Sequence, residues 1–242
     1  MIRTLCFFWS LAMWLGSGES QSPTQPPTVS LSPGGTATLE CNIGTKASYP
    51  VSWHKQTPGT VPQWILYYYH SDSSPTYGPG FSSDRFTSTV NSAGTVYQLI
   101  IKKVELNDAA VYYCGKWDTT GSYYLFGPAT KLFVTGNSSP DPSVKLLGPP
   151  SEEISAKGTG TLVCLVSKLS VGFPIVSWTV DGSLTSREVK TSAVRRDTDS
   201  TFSLSSYLTV PGTDWSSGKR YSCVVNQGAA SSTSATVTQS SC

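Results

Sequence analysis

The chain has 242 residues, a formal net charge of +2, and only 13% charged residues against about 25% in an average soluble domain. So weak a charge leaves no electrostatic footprint for nucleic acid or an anionic membrane. With two histidines most His-based metal and catalytic schemes lack parts, while 12 tyrosines, 7 tryptophans, 21 glycines and 16 prolines favour short strands joined by turns over helices.

Residues Met1 to Ser20 have the three-part layout of a secretory signal: Arg3, the apolar run Leu5–Leu15, then the small residues Gly16, Ser17, Gly18 and Ser20. As a helix that run would rise only about 16 Å, roughly half a bilayer core, so it is too short for a membrane anchor. Cleavage is expected after Gly18 or Ser20, giving a secreted chain. Cys6 leaves with the signal. Cys41, Cys114, Cys164, Cys223 and Cys242 remain, an odd set, so in an oxidising compartment one thiol has no internal partner.

Beyond the signal the chain states one pattern twice. Cys41 is followed by Trp53 and closes at Cys114; Cys164 is followed by Trp178 and closes at Cys223. A tyrosine stands two positions before each closing cysteine, Tyr112 and Tyr221. Period-two runs surround these marks. In the first copy they are Ala37-Leu39-Cys41, Val51-Trp53 and Tyr97-Leu99-Ile101. In the second they are Leu162-Cys164-Val166, Val176-Trp178 and Leu204-Leu208-Val210. Alternation bounded by Gly, Pro, Ser and Asp turns predicts an all-β protein of two tandem antiparallel sandwiches. Each sandwich is pinned by a disulfide with an indole against it, and the tyrosine hydroxyl can bond backbone at a corner. The first copy's longer loop holds about two more short strands, so about nine are expected against about seven in the second. Residues Gly136–Asp141, with Pro140, cannot continue a strand and read as a linker between a module at 21–135 and another at 142–242.

These residues resemble immunoglobulin light chains, of lambda type. Thr24-Gln25-Pro26-Pro27 and Ser32-Pro33-Gly34 look like the first framework, Trp53-His54-Lys55-Gln56 with Pro58-Gly59 the second, and Arg85-Phe86, Asp108 and Val111-Tyr112-Tyr113-Cys114 the third. Phe126-Gly127-Pro128-Ala129-Thr130-Lys131-Leu132 looks like a joining segment. Ser151-Glu152-Glu153, Cys164-Leu165-Val166, Val176-Ser177-Trp178, Ser205-Ser206-Tyr207-Leu208 and Tyr221-Ser222-Cys223 look like a light-chain constant domain. Three features depart from the pattern. Ala129 replaces a bulge glycine, which predicts a strained or altered bulge. His54 replaces a larger ring. The stretch from Trp64 through Tyr69 to Gly80 is long.

The resemblance implies a variable domain followed by a constant domain, and three hypervariable loops at about 44–50, 68–76 and 115–125. It implies antigen contacts from Tyr49, Tyr69, Lys116, Trp117, Asp118 and Tyr123, with Tyr124 shared between antigen and partner. His54, Gln56, Pro62, Trp64, Tyr113 and Phe126 would form an outward face that meets a heavy chain, and Cys242 would form a disulfide to it. Secretion, or display at the cell surface through the heavy chain, goes with that partner. Arg85 and Asp108 are expected to form an ion pair, and Asn137-Ser138-Ser139 is a glycosylation sequon beside Pro140.

No cofactor, metal or catalytic role is expected. His54 and His70 lie apart, no cysteine pair has zinc-ligand spacing, and no glycine-rich phosphate loop opens a helix. Two rival readings are a T-cell-receptor chain, expected to continue into a membrane helix, and a surrogate light chain, expected as two separate polypeptides.

Overall fold

The computed structural model describes residues 21–118, 122–134, 141–199, 201–228 and 232–241. The expected signal segment, most of the linker with Asn137, Thr119–Gly121 and Cys242 lie outside the described residues.

Ten strands build the first module: β1 (Thr28–Leu31), β2 (Ala37–Asn42), β3 (Val51–Gln56), β4 (Gln63–Tyr68), β5 (Thr76–Tyr77), β6 (Phe86–Val90), β7 (Val96–Ile101), β8 (Ala110–Asp118), β9 (Tyr123–Phe126) and β10 (Thr130–Val134). One sheet runs β1-β10-β8-β3-β4-β5 with β9 also on β8, and the other runs β2-β7-β6. Strands β9 and β10 are one strand interrupted at residues 127–129, since both pair with β8, so the strand count agrees with expectation. At the interruption Gly127 N–H bonds Cys114 O at 3.1 Å. Ala129 is not among the non-glycine residues with positive φ, which corrects the expectation of strain there.

Alternation explains the core. Strand β2 buries Ala37, Leu39 and Cys41 and exposes the residues between them, and β7 sets Tyr97, Leu99 and Ile101 opposite. Trp53, Tyr112 and Cys114 close the core from the facing sheet. The Cys41–Cys114 disulfide crosses between the sheets. The Tyr112 hydroxyl donates to Asp108 O at 2.8 Å, so the corner forms as the tyrosine's position predicts.

The second module contains β11 (Ser143–Leu147), α1 (Ser151–Lys157), β12 (Thr159–Leu169), β13 (Ile175–Val180), β14 (Ser183–Thr185), β15 (Val189–Thr191), β16 (Arg195–Arg196), β17 (Phe202–Pro211), α2 (Gly212–Ser216), β18 (Tyr221–Asn226) and β19 (Ser232–Val237). Its sheets are β11-β12-β17-β15, with β16 also on β17, and β14-β13-β18-β19. Strands β15 and β16 both pair with β17 and count as one edge, so the short edge strand β14 is one more than expected. Cys164–Cys223 joins the two sheets. The buried Trp178 indole donates to Ser206 Oγ at 2.9 Å. Here the corner differs from the first module: the Tyr221 hydroxyl is buried with no hydrogen-bond partner among the described residues. Phe133 of β10 packs with Val171 and Phe173, a small apolar cluster joining the two modules.

Candidate binding face and loop cluster

Strand β3 positions the partner-face residues because Trp53 is locked in the core. A register shift between Trp53 and His54 follows, and the outward side then carries His54 and Gln56. The His54 ring meets Phe126 edge-on, with centroids 5.4 Å apart. Its Nε2 lies 3.0 Å from Ser52 Oγ. Burial pushes the imidazole below its ordinary value. Gln56 Oε1 accepts from Tyr113 OH at 2.9 Å, and its Nε2 donates to Thr60 O at 3.0 Å. Half of that amide's capacity is thus used within the chain. Trp64 stacks on Tyr67 at 5.4 Å, and Pro62 and Phe126 are exposed. All six expected partner-face residues lie on this one sheet or on the turn before β4.

At the loop end the expected contact residues divide. Trp117 is 39% exposed, and Tyr49 and Tyr123 more so. Tyr69 is half-buried against the His70 ring, with centroids 4.4 Å apart. Lys116 and Asp118 differ from expectation: they are only 7% and 8% exposed. Strand β8 continues to Asp118, so the parity that buries Tyr112 and Cys114 carries Lys116 and Asp118 inward and Trp117 outward. The Lys116 ammonium donates to Ile43 O at 2.9 Å. Burial lowers its pKa, against the opposing pull of Asp118. The third loop is correspondingly shorter than 115–125. The parity of Cys114 is the sequence signal that locates both residues.

Between the first and third loops lies a cleft of about 350 Å³ lined by Tyr49, Pro50, Ser52, Tyr67, Trp117 and Tyr124. Its polar floor comes from an unexpected residue. Ser52, which lies on the face opposite Trp53, is buried. Its hydroxyl makes a short hydrogen bond with Tyr124 OH. Tyr124 OH in turn donates to Gly115 O at 3.2 Å, and its ring packs on Trp117 and Phe126. Tyr124 thereby joins the loop end to the partner face.

The expected Arg85–Asp108 ion pair forms, inside a larger network. Asp108 is 1% exposed. It also meets Lys55 Nζ at 3.4 Å and accepts from Glu105 N–H at 2.9 Å.

One surface of the second module has no counterpart in the sequence reading. Cys164, Leu146 and Ser206 share a register row, and Cys164 and Ser206 are buried. The neighbouring rows therefore point outward. Leu147, Val163 and Tyr207 form one such row, and Leu165 lies in the next. Leu147, Leu165 and Tyr207 are exposed large apolar side chains. Among the described residues no three His, Cys, Asp or Glu side chains converge as a metal site, and no helix is long and apolar enough to cross a membrane.

Comparison with known proteins follows these two modules. The immunoglobulin V-set domain family matches residues 24–135, and the immunoglobulin C1-set domain family matches residues 144–230. The chain is 38% identical over 117 residues to the Ig kappa chain V region 2717 of Oryctolagus cuniculus, across 47% of this chain and 96% of that protein.

Proposed function

The chain belongs to the immunoglobulin family, a V-set module followed by a C1-set module, and on that premise we propose that it is a light chain that pairs with a heavy chain and lends its loops to antigen binding. One observation carries the proposal. Phe126, Trp64 and Tyr113 lie on one sheet with Pro62 on the turn before β4, and Tyr124 packs on both Phe126 and the exposed Trp117, sharing a cleft with Tyr49. An apolar sheet face of this kind needs cover. Rings with few rotatable bonds give large contact area at low entropic cost. The outward side chains Leu147, Leu165 and Tyr207, from two neighbouring rows, support a second contact with the same partner, through its constant region.

Antigen contacts are assigned to Tyr49, Tyr69, Trp117 and Tyr123, and partner contacts to His54, Gln56, Pro62, Trp64, Tyr113 and Phe126. Lys116 and Asp118 are assigned to bracing the third loop. The proposal includes removal of residues 1–20 on secretion, modules at 21–135 and 142–242, and a disulfide from Cys242 to the heavy chain. The framework residues resemble lambda chains, whereas the rabbit relative is named a kappa V region, so the proposal is a light chain without a type.

The test is co-expression with an immunoglobulin heavy chain. The unmodified chain is expected to assemble with it and to run as a heterodimer on a gel without reductant. Tyr113→Ala with Phe126→Ala is expected to reduce assembly at least about tenfold, the scale of a 1.4 kcal/mol loss. Unchanged assembly of that double variant overturns the partner-face assignment.

A further inference from the structure

The cleft between the first and third loops has a floor whose hydrogen-bond polarity can be worked out. Three links run in series: His54 Nε2 to Ser52 Oγ at 3.0 Å, Ser52 Oγ to Tyr124 OH, and Tyr124 OH to Gly115 O at 3.2 Å. The last group is a carbonyl and only accepts, so Tyr124 spends its proton there. Ser52 then has to donate to Tyr124, and His54 has to donate its Nε2–H to Ser52. Each hydroxyl has one proton, and both protons are committed. What remains at Ser52 Oγ and Tyr124 Oη is lone pairs.

The walls have the same polarity. Tyr49, Tyr67, Trp117 and Tyr124 are electron-rich rings, and among the described residues no charged side chain lines the cleft. The cation of its neighbourhood, Lys116, is turned away to Ile43 O. Ring faces attract a desolvated cation by about 0.5–2 kcal/mol, and a floor of lone pairs accepts from its N–H groups. Ser52 is more than nine-tenths buried, so this floor is built into the fold.

We propose that the cleft takes a compact organic cation, an ammonium or guanidinium group carried on a small apolar or aromatic stem. The proposal names a ligand class for the antigen-binding reading and rests on that reading.

The probes are benzylammonium, benzyl alcohol and benzoate, one ring with three charges, titrated into the full chain. Amide chemical shifts at Ser52, Gly115 and Trp117 report the site. Benzylammonium is expected to bind there at millimolar concentration or below, at least about fivefold more tightly than benzyl alcohol and tenfold more tightly than benzoate. Trp117→Ala is expected to weaken benzylammonium at least about fivefold while leaving thermal unfolding unchanged. Equal or tighter binding of benzoate or benzyl alcohol overturns the proposal, as do shifts confined to other residues or no binding of benzylammonium. The probe series needs no variant, so a misfolded substitution cannot mask the result. A preference for benzoate refutes the cation assignment alone. The light-chain reading fails on a different result, no assembly of the unmodified chain with a heavy chain.

Discussion

Lys116 and Ile43 lie 73 positions apart, yet the lysine ammonium sits 2.9 Å from the isoleucine carbonyl. The contact ties the end of β8, just before the third loop, to the chain leaving β2. Lys116 therefore acts as a brace. Lys116→Ala removes the charged donor to a carbonyl that keeps, among the described residues, only Thr45 N–H, at 2.9 Å, and is expected to cost about 1–3 kcal/mol, the scale of hydrogen bonds to charged groups. Urea unfolding of the full chain, followed by intrinsic tryptophan fluorescence, measures it. A change below about 0.5 kcal/mol, the range of ordinary surface substitutions, removes the brace.

Asp108 gathers two cations and one backbone N–H in a position almost without solvent. Asp108→Ala leaves Lys55 and Arg85 without their shared counter-charge, and Lys55 is itself 11% exposed. Breaking such a buried group is expected to cost about 3–5 kcal/mol. An exposed pair would cost about 1 kcal/mol or less. The denaturant midpoint of Asp108→Ala separates the two outcomes.

The imidazole of His54 titrates below its ordinary 6.5 because burial disfavours the charged ring. The unfolded chain then binds the proton at a higher pH than the folded chain does. Stability is full above 6.5 and falls as the pH drops through 6.5 toward the folded value. His54→Gln removes this contribution. Its stability profile between about pH 7.5 and 5 is expected to be flatter than that of the unmodified chain. Parallel profiles would show that the ring titrates alike in both states.

Period-two parity made most of this architecture legible from the residues alone. Cys41, Trp53, Cys114, Cys164, Trp178 and Cys223 are all buried at the places the alternation assigns. Parity failed where it was abandoned too early. Lys116 and Asp118 read as loop residues because the resemblance begins the third loop at about 115, but β8 keeps its ladder to Asp118. Ser52 was missed for a different reason. A residue opposite the core face is exposed by default, and only the return of β9 lays Tyr124 over it. Such a contact depends on which strand lies alongside, and local alternation carries no information about that. The Tyr221 hydroxyl is a third case. Its spacing to Cys223 matches that of Tyr112 to Cys114, but Tyr112 donates to Asp108 O and Tyr221 finds no acceptor among the described residues.

The outer row of the second module gives the last prediction. Leu165 and Tyr207 point away from the core that Cys164 and Ser206 face. Replacing them should therefore affect association and leave folding alone. Leu165→Asp with Tyr207→Ser is expected to change the stability of the isolated chain by less than about 0.5 kcal/mol per site, as surface substitutions do. Assembly with a heavy chain is expected to fall at least about tenfold, because a charge has been placed in a buried apolar contact. Differential scanning calorimetry of the chain alone and a gel-filtration titration with the heavy chain read the two effects separately. Loss of stability in the isolated chain would make the row part of the core. Intact assembly would leave the row an exposed surface without a partner.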